Sequence, residues 1–228
     1  MDKISPSRQI VGVTFAEARL LCLMDIGGWN LADMPGAADM LRLGGVTLAV
    51  ALSAGAPARA VAERLKLLRS ALGPDGPALI VSGRVDMALA IGLDGVHLGQ
   101  DDLQPNDTRR VLGERGLIGI DLHTPAQADE LFRWRVDYAI VSEGGTGRGG
   151  AAVEPDTLSR IAFRIRLASP GTAVVAVSGP DPRMAARAIE AGADGVAVSS
   201  AHPAEGHGML SEIREGLDRA LPSRGAAR

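Results

Sequence analysis

Short apolar runs bounded by glycine or aspartate alternate along the chain with amphipathic stretches of about a dozen residues, which predicts repeated βα units on a parallel sheet. Strands are expected at Arg19–Asp25, Val46–Leu52, Ala78–Ser82, Gly95–Leu98, Leu117–Asp121, Asp137–Ser142, Ala173–Ser178 and Gly195–Ser199. Helices are expected at Gly36–Leu43, Ala58–Leu72, Val85–Ile91, Pro105–Arg115, Pro125–Trp134, Pro155–Leu167 and Pro182–Ala191, with Gly208–Leu221 closing the series. Pro105, Pro125, Pro155 and Pro182 stand at helix starts, where a missing N–H costs nothing.

A weak internal repeat supports the same reading. Leu43-Gly44-Gly45-Val46, Gly92-Leu93-Asp94-Gly95-Val96, Arg135-Val136-Asp137-Tyr138 and Gly192-Ala193-Asp194-Gly195-Val196 each join a helix to an even-numbered strand. Eight units without a G-x-G-x-x-G fingerprint predict an α/β chain folded as a single (β/α)8 TIM barrel of parallel strands, its chemistry at the C-terminal mouth. An open doubly wound sheet with ordinary αβ turns is the competing architecture. Residues 1–18 read as an N-terminal arm, 19–221 as the barrel and 222–228 as a disordered tail.

The length of 228 residues suits one such barrel. A net charge of −3, with 24 basic and 27 acidic residues interspersed, leaves no footprint for nucleic acid or an anionic membrane. Leu20–Met24 is too short for a signal or a span, so a cytoplasmic protein is expected, with pairing through its helices into a homodimer. Cys22 lies in an apolar run and reads as an inert buried thiol.

In a barrel the residues to weigh follow each strand. Ser178-Gly179-Pro180-Asp181-Pro182 after strand seven and Ser199-Ser200 after strand eight stand where many barrels hold phosphate on backbone N–H groups, so Ser178, Gly179, Ser199 and Ser200 are the expected phosphate contacts. A plain turn and helix N-cap would use the same residue types. Gly144–Gly150 reads as a lid or an idle loop, and does not match a nucleotide P-loop.

Gly83-Arg84-Val85-Asp86-Met87-Ala88-Leu89, followed by Asp94-Gly95-Val96-His97-Leu98-Gly99-Gln100-Asp101-Asp102-Leu103, resembles blocks of the thiamine-phosphate synthase and thiazole tautomerase family. Gly119-Ile120-Asp121-Leu122-His123-Thr124 and Ala191–Val198 are similar to later blocks in the same order. The resemblance covers roughly residues 19–205 and implies a small phosphorylated heterocycle as ligand. It implies magnesium at Asp102, with Gly83 and Ser82 standing where the family has its second metal aspartate and an asparagine. Asp25, Ser82, Arg84, Gln100, Thr146 and Arg148 become the expected substrate pocket, and His97 a buried hydrogen-bonding position.

The chain departs from that pattern where the synthases grip diphosphate. The Q-x-R-x-K of strand two is here Ala49-Val50-Ala51-Leu52-Ser53, and the P-T-x-T-K loop of strand six is Glu143–Gly150. The Gly83-Arg84 pair looks more like the tautomerase branch, where His123 would exchange a proton, oriented by Asp121. An enzyme of thiamine biosynthesis, synthase-like transferase or tautomerase-like isomerase, is the leading expectation. A repurposed, non-catalytic barrel that binds a ligand or partner is the alternative, and a metal gathered by Asp25, Asp102, Asp121 and Glu143 a third reading.

Overall fold

The computed structural model describes residues 9–10, 13–14, 19–53, 55–144, 150–200 and 207–220. Eight parallel strands close into a barrel: β1 (Leu20–Asp25), β2 (Leu48–Leu52), β3 (Ala78–Ser82), β4 (Gly95–Leu98), β5 (Leu117–Leu122), β6 (Tyr138–Val141), β7 (Ala173–Ser178) and β8 (Gly195–Ser200). They pair in chain order, and β8 returns to β1 with Ala197 beside Leu21 and Ser199 beside Leu23. This is a TIM barrel, as the βα rhythm predicts, and the doubly wound alternative is set aside.

The connecting helices are α1 (Met34–Leu43), α2 (Ala58–Leu72), α3 (Val85–Ile91), α4 (Pro105–Leu112), α5 (Pro125–Asp129), α6 (Pro155–Ala168), α7 (Pro182–Glu190) and α8 (Gly208–Ala220). Two are shorter than their patterns predict. Helix α4 stops at Leu112 because Gly113 takes φ +71°, a conformation open to glycine, and returns its N–H to the Arg109 carbonyl. Helix α5 tightens after Asp129 into a 3-10 turn over Glu130–Arg133. Of the expected N-terminal arm, Gln9–Ile10 pairs antiparallel with Val13–Thr14; the expected tail at 222–228 lies outside the described residues.

Strand alternation divides the core in two. Leu21, Leu23, Leu48, Val50, Leu52, Ile80, Leu117, Tyr138, Ile140, Val175, Val177 and Ala197 fill the barrel interior. Cys22, Met24, Ala49, Ala51, Leu79, Val81, Ile118, Ile120, Ala139 and Val141 face the helices, which bring apolar stripes such as Val61, Leu65, Leu68 and Leu72 of α2. Each of those leucines is nearly or fully buried, worth about 1.5–3 kcal/mol. Cys22 is wholly buried, and burial pushes its thiol up to about 12.

The internal repeat has a physical basis at the base of the barrel. Asp94, Asp137 and Asp194 open β4, β6 and β8, and their carboxylates accept from the backbone N–H of Leu79, Ile118 and Val174 at 2.8, 2.9 and 2.9 Å. Each also receives an arginine from the helix before the preceding one: Arg69 at 3.0 Å, Arg109 at 2.8 Å and Arg166 at 3.4 Å. Thr47 holds the equivalent place before β2, its N–H and hydroxyl both donating to the Leu20 carbonyl. One side chain thus ties each even strand to the strand before it.

Candidate active site at the barrel mouth

Extending the interior face of each strand to its C-terminal end brings Asp25, Leu52, Ser82, His123, Ser142, Gly179 and Ser199 to the mouth. The same alternation turns Ser178 and Ser200 outward, because Val174, Ala176, Val196 and Val198 on their parity pack against the helices. Both are buried: the Ser178 hydroxyl donates to the Gly179 carbonyl at 3.2 Å, and the Ser200 hydroxyl lies 3.5 Å from Met40 Sδ. Of the two expected phosphate pairs, Gly179 and the exposed Ser199 are the members on the interior face. Asp181 caps α7 by accepting from Arg183 N–H at 2.8 Å, the plain N-cap role. Thr146 and Arg148 lie outside the described residues.

His123 is half-buried, and its Nδ1 lies 2.9 Å from the Ser142 carbonyl. A carbonyl only accepts, so Nδ1 carries the proton, and in the neutral ring Nε2 is left with a lone pair toward the mouth. Its backbone is pinned as well. Gln127 Oε1 accepts from the N–H groups of His123 and Thr124 at 2.7 and 3.0 Å, and Gln127 Nε2 donates to Gln100 Oε1 at 2.9 Å. Gln100 completes the chain by donating to the Asp121 carbonyl at 2.8 Å. The Thr124-x-x-Gln127 capping box is the local signal in the sequence that marks Gln127 for this place.

Asp121 does not take the orienting role expected of it. Its carboxylate is 3.1 Å from His97 Nε2, inside the barrel and almost fully buried, while the Ser142 carbonyl orients His123. His97, fully buried, also meets the Tyr138 hydroxyl at 3.2 Å through Nδ1 and stacks on its ring, the core hydrogen-bonding role expected of the position. Burial, then the charges of Asp121 and Asp137, hold the Tyr138 phenol well above its usual range, so it stays protonated and donates. Gly119 makes room for it, since a Cβ there would stand 2.0 Å from the tyrosine ring.

The carboxylates nearer solvent are held by backbone. Asp25 accepts from Gly27 N–H at 3.0 Å, and Asp102 from Gly99 N–H at 2.7 Å. Arg84 is spent on Asp86, in a paired contact of 2.8 and 2.6 Å that raises the guanidinium and lowers the carboxyl from their ordinary ranges. Beside them β2 presents Leu48, Val50 and Leu52 inward, an apolar wall up to the rim.

A family described as thiamine monophosphate synthase matches residues 26–202. The chain belongs to the thiamine-phosphate synthase family. Its similarity to the thiamine-phosphate synthase of Agrobacterium fabrum is 34% identity over 214 residues, covering 90% of this chain and 96% of that one. The synthase of Azorhizobium caulinodans is 36% identical over 162 residues, 69% of this chain and 74% of its own. The solved thiamine phosphate pyrophosphorylase of Pyrococcus furiosus superposes with a TM-score of 0.73 at 25% identity, covering 90% of this chain and 98% of that one.

Thiamine-phosphate synthases act in thiamine biosynthesis and use Mg2+ to bind a diphosphate substrate. Among the described residues no group of three or more His, Cys, Asp or Glu side chains stands together, and a magnesium held by one or two carboxylates and substrate phosphates would not need one. Asp102 is alone at its position, and Gly83 beside it takes φ +68° with the Asp102 carboxylate lying over it, 2.8 Å from where a Cβ would stand. A second carboxylate there would be strained by the backbone and repelled by the first.

Proposed function

We propose that this family member binds a small phosphorylated heterocycle, a thiazole phosphate or a close analogue, in the barrel mouth and moves a proton on it through His123. Gly179 and Ser199 receive the phosphate, and Asp25, Ser82, Gln100 and Asp102 line the ring. The observation that carries this reading is the His123 tautomer: a strand-end imidazole held through Nδ1 on the Ser142 carbonyl, with Nε2 left to accept a proton from the ligand. Coupling to a diphosphate partner is not part of the proposal. The apolar β2 wall and the Arg84–Asp86 pair supply no cation from strands two and three to neutralise a leaving diphosphate.

Calorimetry with thiazole phosphate, followed by turnover assays with the thiazole phosphate and pyrimidine diphosphate pair, tests this. Binding without coupling is expected; coupling at a rate typical of enzymes would sink the second half, and no binding the first. A non-catalytic barrel is the second reading, favoured by the same apolar wall. It predicts binding with no proton exchange on the ligand. Phe132, Phe163 and Leu167, exposed on the 3-10 turn after α5 and on neighbouring α6, would serve a homodimer, which sedimentation would reveal.

A further inference from the structure

We propose that the Ser142 hydroxyl is a ligand contact of this mouth, donating to the ligand atom on which negative charge develops when His123 removes a proton. The inference rests on the reading of His123 given above and deepens it.

Ser142 follows β6 with its N–H still bonded to the Leu122 carbonyl at 3.2 Å, so the pleat runs one residue past the strand. Tyr138 and Ile140 face the interior, and Ser142 continues their parity. The residue is fully buried, and its Oγ has no hydrogen-bond partner. Other buried hydroxyls among the described residues are engaged: Thr108 on the Leu103 carbonyl, Thr172 on Val136, Ser178 on Gly179 and Ser200 on Met40 Sδ. An orphaned buried hydroxyl is destabilising, and an alanine would avoid the cost.

The same residue already serves the site, because its carbonyl sets the His123 tautomer. One residue thus presents a fixed acceptor to the base and an uncommitted donor beside it. Tied to nothing, the serine side chain can turn about χ1 toward an entering ligand at little cost. Nε2 accepts and Oγ–H donates, which together suit a carbon acid next to a ring nitrogen or a carboxylate oxygen. The C–H bond breaks and its proton passes to Nε2. The electron pair moves through the ring onto the heteroatom, which accepts from Ser142 Oγ–H. Return of the proton from Nε2 to a different atom gives the isomer and restores neutral His123, with no change of oxidation state. Shielded from water, such a donor is worth more than it would be in solvent. The ligand class is therefore a phosphorylated heterocycle with an exchangeable carbon-bound proton and an adjacent acceptor.

The test follows exchange of the carbon-bound protons of thiazole carboxylate phosphate with D2O by NMR, in wild type, Ser142→Ala, Ser142→Cys and His123→Asn, together with the thermal midpoint of each ligand-free protein. Ser142→Ala is expected to slow exchange at least tenfold while its midpoint stays level or rises; Ser142→Cys falls between it and wild type. A merely structural hydroxyl would lower the midpoint, and that result overturns the inference. So does exchange in Ser142→Ala within twofold of wild type while His123→Asn is silent, which leaves the proposed function standing. Absence of both binding and exchange in wild type removes the proposed function and this inference together.

Discussion

The base and the mouth of this barrel treat charge in opposite ways. At the base, Asp94, Asp137 and Asp194 are each met by a backbone N–H and an arginine. At the mouth, among the described residues, Asp25 and Asp102 accept from glycine N–H groups and from no cationic side chain, His123 keeps a free ring nitrogen, and the buried Ser142 hydroxyl goes unpartnered. Strand ends are chemically similar at both rims, so the difference lies in what the helices supply. Their arginines reach the base, and the loops at the mouth leave groups open to a ligand. The paired carboxylates mark where the fold is tied, and the uncommitted groups at the C-terminal mouth where it is expected to act.

The sharpest way to break the contrast is at Asp137. It and Arg109 are both almost fully buried, and Arg109 also reaches the carbonyls of Gly113, Gly116 and Arg135. Asp137→Ala leaves a guanidinium inside the base without its counter-charge and removes the acceptor of Ile118 N–H. A loss of about 3–5 kcal/mol in urea unfolding is expected, with ligand affinity of the remaining folded protein unchanged. His123→Asn should do the reverse. Its amide can still donate to the Ser142 carbonyl, so the unfolding midpoint holds, while ligand proton exchange falls by about 10²-fold or more.

How far these regions could be read from the chain follows from the range of each interaction. Strands, helices and the glycine–aspartate joints were legible because period and punctuation are local, and the base aspartates announced themselves by repeating. The outward turn of Ser178 and Ser200 was legible too, since alternation forbids adjacent residues a common face. What was hidden depends on stagger between strands. Asp121 meets His97 across 24 positions, and His123 meets Ser142 across 19; a small change of register would have given either a different partner. Asp121 was therefore assigned to its neighbour in sequence and belongs to its neighbour in space.

Between the two rims, Tyr138 tests whether the buried network is structural. Tyr138→Phe keeps the ring and removes the buried hydroxyl that meets His97 Nδ1 at 3.2 Å, so a loss of about 1–3 kcal/mol is expected at neutral pH. Its pH signature is distinct. The folded phenol ionises well above the unfolded value of about 10, so the folded state holds the proton more tightly. The corresponding stability is complete below pH ~10 and is lost as pH rises beyond it. Cys22, raised from 9.0 to about 12, adds a similar fall that begins near pH 9. The variant should keep the Cys22 part and lose the tyrosine part. Tyr138 is the chain's single tyrosine, so phenolate absorbance that appears before unfolding would contradict its burial.

The smallest effect is expected at Arg84 and Asp86. Their contact is exposed, so its removal changes stability by only a few tenths of a kcal/mol, roughly. The lowered Asp86 carboxyl gives a contribution present above its unfolded value of about 3.9 and lost as pH falls through the folded one. Its importance is electrostatic. Asp86→Asn would release the one guanidinium that β3 delivers toward the rim, and a mouth otherwise lined by carboxylates and leucines would gain a cation. Affinity for thiazole phosphate should then rise about threefold at low salt and fall back as screening increases. If affinity does not move, Arg84 faces away from the ligand, and the mouth binds its phosphate through backbone and Ser199 alone. In that case the contrast between rims is stronger still, because the guanidinium nearest the end of β3 would serve only its neighbour Asp86.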